Sequence, residues 1–152
     1  MVKICFAASS GGHLEQLMML YPIMNSYKSF ILTEKTKYTF NSNNIKVYNV
    51  TQINRHEILF VAKLLILIIK SLIILWKEKP EVIISTGALA TIPICLISKL
   101  FKTKVIFIES FSKISTPTIT GKIMSKIADL VIIQWEDLKE FYPNAIYGGG
   151  IY

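Results

Sequence analysis

Cysteine, histidine and acidic side chains are scarce in this chain of 152 residues, and each shortage removes a class of function. The two cysteines, Cys5 and Cys95, lie inside apolar runs with no CxxC pair, and read as buried thiols in a reducing compartment. The two histidines, His13 and His56, have no ligand pattern around them, so no metal site is expected. Neither G-x-G-x-x-G nor the P-loop Gly-Lys-Ser/Thr occurs, so neither a dinucleotide nor ATP is implied and no cofactor is expected. The opening MVKICFAASS turns polar too soon for a signal peptide, which places the protein on the cytoplasmic side. Acids are short mainly in the first half. Residues 1–80 hold ten Lys/Arg against four acids, whereas residues 129–152 hold four acids against one lysine. A basic body of this kind suits an anionic surface. With no aromatic-plus-basic nucleic-acid module in view, phospholipid is favoured and no nucleic-acid partner is expected.

What is abundant is apolar surface. Hydrophobic residues make up 52% and charged residues 18%, which excludes disorder and leaves more apolar area than one small core consumes. Short apolar runs alternate with helical spacing along the chain. Strands are expected at Val2–Ala8, Ser29–Thr33, Ile45–Val50, Glu81–Ser85, Lys104–Glu109 and Leu130–Gln134. Helices are expected at His13–Met24, Ile58–Trp76, Pro93–Phe101, Gly121–Ala128 and, briefly, Asp137–Tyr142. A polar Asn/Ser/Lys/Thr loop separates the second and third strands. This order gives an α/β protein: one Rossmann-like domain over residues 1–152, a parallel sheet with helices on both faces. Its ligands are expected at the carboxyl ends of the strands.

The helix Ile58–Trp76 has sixteen apolar residues among nineteen, the exceptions being Lys63, Lys70 and Ser71. About fifteen such side chains contribute roughly −5 to −9 kcal/mol to membrane insertion, and two lysines at about +2.5 to +3.5 each cancel most of it. Topology decides the matter. Strands before and after this helix belong to one sheet, so it does not span. Lys63, Lys70 and Lys77 recur every seven residues and fall on one stripe, with apolar residues, Trp76 among them, around the rest. One face packs on the sheet; the remainder suits a membrane surface or a partner.

Small polar residues cluster at the strand ends. Ser9, Ser10, Gly11, Gly12 and His13 join the first strand to the first helix, where glycines admit a ligand to the backbone and free N–H groups attract anions. Thr86 and Gly87 repeat the device in Ile84-Ser85-Thr86-Gly87. Glu109, ending VIFIE before Ser110, is either a site residue or the partner of Lys113. Trp135 reads as packing.

Taken in order, Ser-Gly-Gly-His-Leu, Ile-Ser-Thr-Gly, Ile-Glu-Ser-Phe-Ser-Lys-Ile, Thr120-Gly121-Lys122, Ala128-Asp129, Gln134-Trp135-Glu136-Asp137-Leu138 and Tyr142-Pro143-Asn144-Ala145-Ile146-Tyr147-Gly148-Gly149 resemble one family. It is the membrane-anchor subunit of the eukaryotic two-subunit N-acetylglucosaminyltransferase of dolichol-linked oligosaccharide synthesis, together with its bacterial relatives in capsular and exopolysaccharide operons. That family is similar to the N-terminal half of the MurG-type transferase, a GT-B fold whose other half holds the sugar nucleotide. The resemblance implies a chain inactive alone, completed by a separate donor-binding glycosyltransferase subunit. The complex would transfer a sugar from a UDP-sugar to a polyprenyl-pyrophosphate-linked saccharide at the cytoplasmic face of the membrane. In the chain itself, Ser9, Ser10, Gly11, Gly12, His13, Thr86, Gly87 and Ser110 are expected to meet this acceptor, with His13 or Glu109 as base. Lys63, Lys70, Trp76 and Lys77 are expected at the membrane. Tyr142, Tyr147, Gly148, Gly149, Gly150, Ile151 and Tyr152 are expected to dock the partner subunit. The sequence departs from the eukaryotic pattern in showing no apolar helix before the first strand, which moves membrane attachment to Ile58–Trp76. Two other functions fit the same residues: a non-catalytic membrane scaffold for the partner, and a free-standing Rossmann-like small-molecule binder.

Overall fold

The computed structural model describes residues 1–35, 42 and 44–152. Seven strands form one sheet: β1 (Lys3–Ala8), β2 (Lys28–Glu34), β3 (Lys46–Val50), β4 (Val82–Gly87), β5 (Lys104–Ile108), β6 (Leu130–Ile133) and β7 (Ile146–Tyr147). Their order is β3-β2-β1-β4-β5-β6-β7, and every adjacent pair is parallel. The helices are α1 (Gly12–Met18), α2 (Tyr21–Ser26), α3 (Phe60–Glu78), α4 (Ile92–Ser98) and α5 (Ile119–Met124). A final strand, β7, joins the six expected ones. The polar loop expected between β2 and β3 lies largely outside the described residues.

Strand alternation sorts the core into two layers. Cys5 and Ala7 of β1 join Phe30, Leu32, Leu67, Leu75, Cys95 and Met124 on the face covered by α3, α4 and α5. Ile4, Phe6 and Ala8 join Leu14, Leu17, Met24 and Ile31 on the face covered by α1 and α2. Both faces are covered, as a parallel sheet requires.

Three helical segments differ from expectation. The helix expected over residues 13–24 is two helices, because Pro22 cannot donate into the preceding turn and instead opens α2 at its first turn. Ile23 and Met24 donate to the Leu20 carbonyl, which starts the new helix. α5 begins earlier and stops earlier than expected; Thr118 caps it by accepting from the Gly121 N–H at 2.7 Å. The short helix after Trp135 is a 3₁₀ turn over Glu136–Glu140.

Candidate functional site

The strand order reverses between β1 and β4, so the loops that follow these two strands meet at one edge of the sheet. Ser9 N–H donates to the Gly87 carbonyl at 2.9 Å. The His13 Nδ1–H donates to the Thr86 carbonyl at 2.7 Å, and the Thr86 hydroxyl donates back to the His13 carbonyl at 2.7 Å. A carbonyl only accepts, so this bond fixes the proton of the neutral ring on Nδ1 and leaves Nε2 as the acceptor nitrogen. The half-buried imidazole lies over Gly87, where an added Cβ would stand 3.4 Å from both Nδ1 and Cε1. Gly87 also holds φ +95°, so a side chain there is strained as well as crowded. Gly11 opens α1 at φ +77°, and the first intrahelical bonds are those of Leu14 and Glu15 to its carbonyl. The amides of Gly12 and His13, in the first turn of α1, lie ahead of those bonds; Gly12 is exposed and His13 half-buried.

A residue not expected from the sequence anchors this loop. Glu34, at the end of β2 and nearly buried, accepts from the Ser10 N–H at 3.2 Å and the Ser10 hydroxyl at 3.1 Å through Oε2. Its Oε1 accepts from the Ile53 N–H at 3.1 Å. Both donors of Ser10 are therefore spent inside the protein, and the donors left to a ligand are those of Gly11, Gly12 and His13.

Glu109 sits one strand further along and is fully buried. Its carboxylate accepts from the Tyr142 hydroxyl at 2.5 Å, the Thr118 hydroxyl at 2.9 Å, the Ser110 N–H at 2.8 Å and the Thr118 N–H at 3.2 Å. Lys113 is not its partner. Burial and the adjoining carboxylate push the Tyr142 hydroxyl well above the usual tyrosine range, so it remains a donor. Gly121 makes the arrangement fit: a Cβ there would come within 2.0 Å of the carboxylate and 2.2 Å of the Tyr142 hydroxyl. A carboxylate so engaged ties the loop of residues 110–118 to the sheet, with Ser110 N–H on it and Ser110 Oγ 3.0 Å from Ser112 Oγ. Tyr142 thereby turns inward, at 4% exposure, rather than facing a partner.

The last residues gather around Phe111. Its ring packs against Trp135 at 5.1 Å and Tyr152 at 5.2 Å between centroids, and Trp135 Nε1–H donates to its carbonyl at 2.7 Å. Trp135 is indeed a packing residue. Tyr147, Gly148, Gly150 and Tyr152 are exposed; Gly149 and Ile151 are half-covered.

On the α3 side of the sheet lies a separate feature. Leu67, Ser71, Ile74, Leu75 and Glu78 face inward, while Leu65, Ile69, Leu72, Ile73 and Trp76 stand in solvent. Trp76 is 71% exposed, and Leu96 on α4 and Leu100 just after it are exposed as well. Lys70 and Lys77 border this face; Lys63 is paired with Glu57. Among the described residues no helix is long and apolar enough to cross a membrane.

The all-parallel order, reversing at β1 and β4 with the polar loops at that edge, defines one Rossmann-like half of a GT-B fold. The structure of Acinetobacter baumannii MurG matches with a TM-score of 0.74 at 16% identity, over 90% of this chain and 43% of that one. Residues 23–151 match the model of the family described as oligosaccharide biosynthesis protein Alg14 like, and the chain belongs to that family. The UDP-N-acetylglucosamine transferase subunit ALG14 of Mus musculus is 32% identical over 81 residues, 49% of this chain and 37% of its own length. A Flavobacterium psychrophilum UDP-N-acetylglucosamine–N-acetylmuramyl-(pentapeptide) pyrophosphoryl-undecaprenol N-acetylglucosamine transferase is 30% identical over 93 residues, 61% of this chain and 24% of that protein. The chain thus spans well under half the length of these relatives.

Proposed function

We propose that this chain is the acceptor-side subunit of a split glycosyltransferase that moves N-acetylglucosamine from UDP-N-acetylglucosamine to a polyprenyl-pyrophosphate-linked saccharide. The observation that carries this is the crevice between β1 and β4, where two hydrogen bonds lock His13 to Thr86 and leave Nε2 without a protein partner among the described residues. The names of the mouse and Flavobacterium relatives supply the sugar, and that of the second supplies a pyrophosphate-linked lipid acceptor. In this crevice the amides of Gly11, Gly12 and His13 hold the acceptor's anionic or saccharide groups. His13 Nε2 takes the proton from the acceptor hydroxyl as its oxygen bonds to the anomeric carbon, and UDP departs with the electron pair. Glu109, buried and fully hydrogen-bonded, holds the 110–118 loop and does not act as the base. A separate donor-binding subunit completes the enzyme and docks on residues 146–152. The exposed face of α3, with Lys70, Lys77 and Trp76, rests on the cytoplasmic leaflet. Service in a bacterial capsular or exopolysaccharide pathway fits the same chemistry.

The test is reconstitution with a co-expressed donor-binding subunit, UDP-N-acetylglucosamine and a polyprenyl-pyrophosphate saccharide. We expect turnover by the complex, none by this chain alone, and a loss of about 10²–10⁴-fold in kcat for His13→Ala with assembly intact, the range of a positioned general base. Turnover by the single chain overturns the split-enzyme proposal. Full activity of the His13→Ala complex overturns the catalytic role and leaves a scaffold.

A further inference from the structure

Two buried glutamines join the end of the sequence to the helix that carries His13, and they do so through one carbonyl. Gln134, just past β6, accepts from the Ile151 N–H at 2.8 Å and donates to the Glu109 carbonyl at 2.8 Å. Gln16, one turn after His13 on α1, donates to the same carbonyl at 3.3 Å and accepts from the Phe111 N–H at 3.2 Å. Both lone pairs of the Glu109 carbonyl are thus engaged, and both amides use a donor and their acceptor. Gln16 is 2% exposed and Gln134 3%, so neither has water to substitute for a lost partner. Phe111 closes the circuit from the other side, since its ring is packed between Trp135 and Tyr152 and an added Cβ at Gly150 would touch it at 3.1 Å. Ile151 itself packs on the α1 face of the sheet, beside the cluster that holds Leu14 and Leu17.

We propose that Gln134 and Gln16 are positioning residues that transmit engagement of residues 148–152 to α1 and to the 110–118 loop. Docking of the donor-binding subunit on that segment then orders the acceptor edge before chemistry begins. This rests on the function proposed above, but the relay is testable without any partner. The segment and the loop share a buried hydrogen-bond path, so freeing one removes constraint from the other. Among the described residues Gln134 alone hydrogen-bonds both Ile151 and the Glu109 carbonyl, so cutting it separates the polar path from the aromatic contact of Phe111 with Tyr152.

The experiment is amide hydrogen exchange on the full chain, on a form lacking Gly149–Tyr152, and on the same pair carrying Gln134→Met. In the native background, deletion should speed exchange at Phe111 and at Leu17 of α1 by about tenfold, the scale of losing one buried hydrogen bond. In the Gln134→Met background the same deletion should act clearly less, by about threefold or under, what remains being the lost Tyr152 ring and Ile151 packing contacts. If deletion changes nothing in the native background, or acts equally in Gln134→Met, the relay does not exist. Should Gln134→Met fail to fold, Gln16→Met makes the cut on the α1 side, with Leu17 as the readout. A donor-binding subunit, added last, should slow these amides in the native chain and not in Gln134→Met. Slowing in both backgrounds overturns the proposal, whereas a subunit that does not bind at all counts against the proposed function and leaves the single-chain result standing.

Discussion

Replacing Tyr142 by Phe removes one hydroxyl and little else, and the fully buried Glu109 beneath it makes the consequence calculable. The hydroxyl donates to Glu109 Oε2 at 2.5 Å, the shortest of that carboxylate's contacts. Without it, Oε2 retains only the Thr118 N–H and hydroxyl, each at 3.2 Å. A hydrogen bond to a buried charged group contributes about 1.5–3 kcal/mol, and nothing in Tyr142→Phe replaces it. For a domain of this length each kcal/mol shifts Tm by about 2–4 °C, so a drop of about 3–12 °C is expected. Urea denaturation should show a lower midpoint at unchanged slope, because the same surface is still buried. Gly121→Ala strikes the same pair from the other side, since its Cβ would overlap both the carboxylate and the hydroxyl. The two changes disrupt one contact, so the double variant should lose clearly less than the sum of the singles. A Tyr142→Phe protein melting within about 1 °C of the native chain, or strict additivity with Gly121→Ala, would refute the assignment of Glu109 as the anchor of the 110–118 loop.

Other consequences are open to direct measurement. Changing Lys70 and Lys77 to Glu should release the protein from anionic vesicles, because each lysine near such a surface is worth on the order of 1 kcal/mol; adding Lys63→Glu should matter less, since Lys63 already pairs with Glu57. Unchanged vesicle binding would mean that another face meets the membrane. Glu78 should destabilise the fold in acid. Burial opposes its ionisation, but hydrogen bonds from Lys3, Lys46 and Tyr48 outweigh that and bring its pKa down from 4.5 to about 2. A carboxyl depressed in the folded state stabilises above its unfolded pKa and loses that contribution as pH falls from about 4.5 through about 2. Glu78→Gln should flatten the pH dependence of Tm in that window, and an unaltered slope would assign it elsewhere. Deleting Gly149–Tyr152 should abolish co-purification with the donor-binding subunit while vesicle binding persists; capture at unchanged affinity would move the interface off this segment.

The strands were legible because burial on both faces of a parallel sheet leaves an unmistakable signature, as in VIIS and VIFI. Pro22 carries the signal for the split of α1 from α2, but the apolar spacing of Leu14, Leu17, Met18 and Tyr21 runs across it and reads as one helix. Glu34 closes β2 after Thr33 and Glu109 directly follows β5, so both acids mark strand ends, and only the second stands beside a recognisable motif. What neither pattern contains is the partner: Tyr142 and Thr118 reach Glu109 from 33 and 9 residues away, and periodicity says nothing about such distances. Gln16 and Gln134 carry no sequence signal for a related reason. A glutamine on a helix or at a strand end normally faces solvent, and only the fold reveals that both amides turn inward. The exposed apolar face of α3 could be read in advance, because a nineteen-residue helix with so few polar positions has more apolar circumference than a sheet can cover.

The place of β1 inside the sheet, between β2 and β4, has a consequence for how the protein is made. β1 is made before either of its neighbours, and β2 closes one of its edges early. The other edge waits for β4, which pairs Val82 with Ile4 across 78 residues of chain. At about 5–20 residues per second of synthesis, that interval is roughly 4–16 s. During it the nascent chain carries an unpaired strand edge, and α3 emerges before the strand that closes the sheet beside it. Chain growth therefore passes through a stage in which the most apolar helix and an open central edge coexist, and a cell producing this protein must shield both until Gly87 has cleared the exit tunnel.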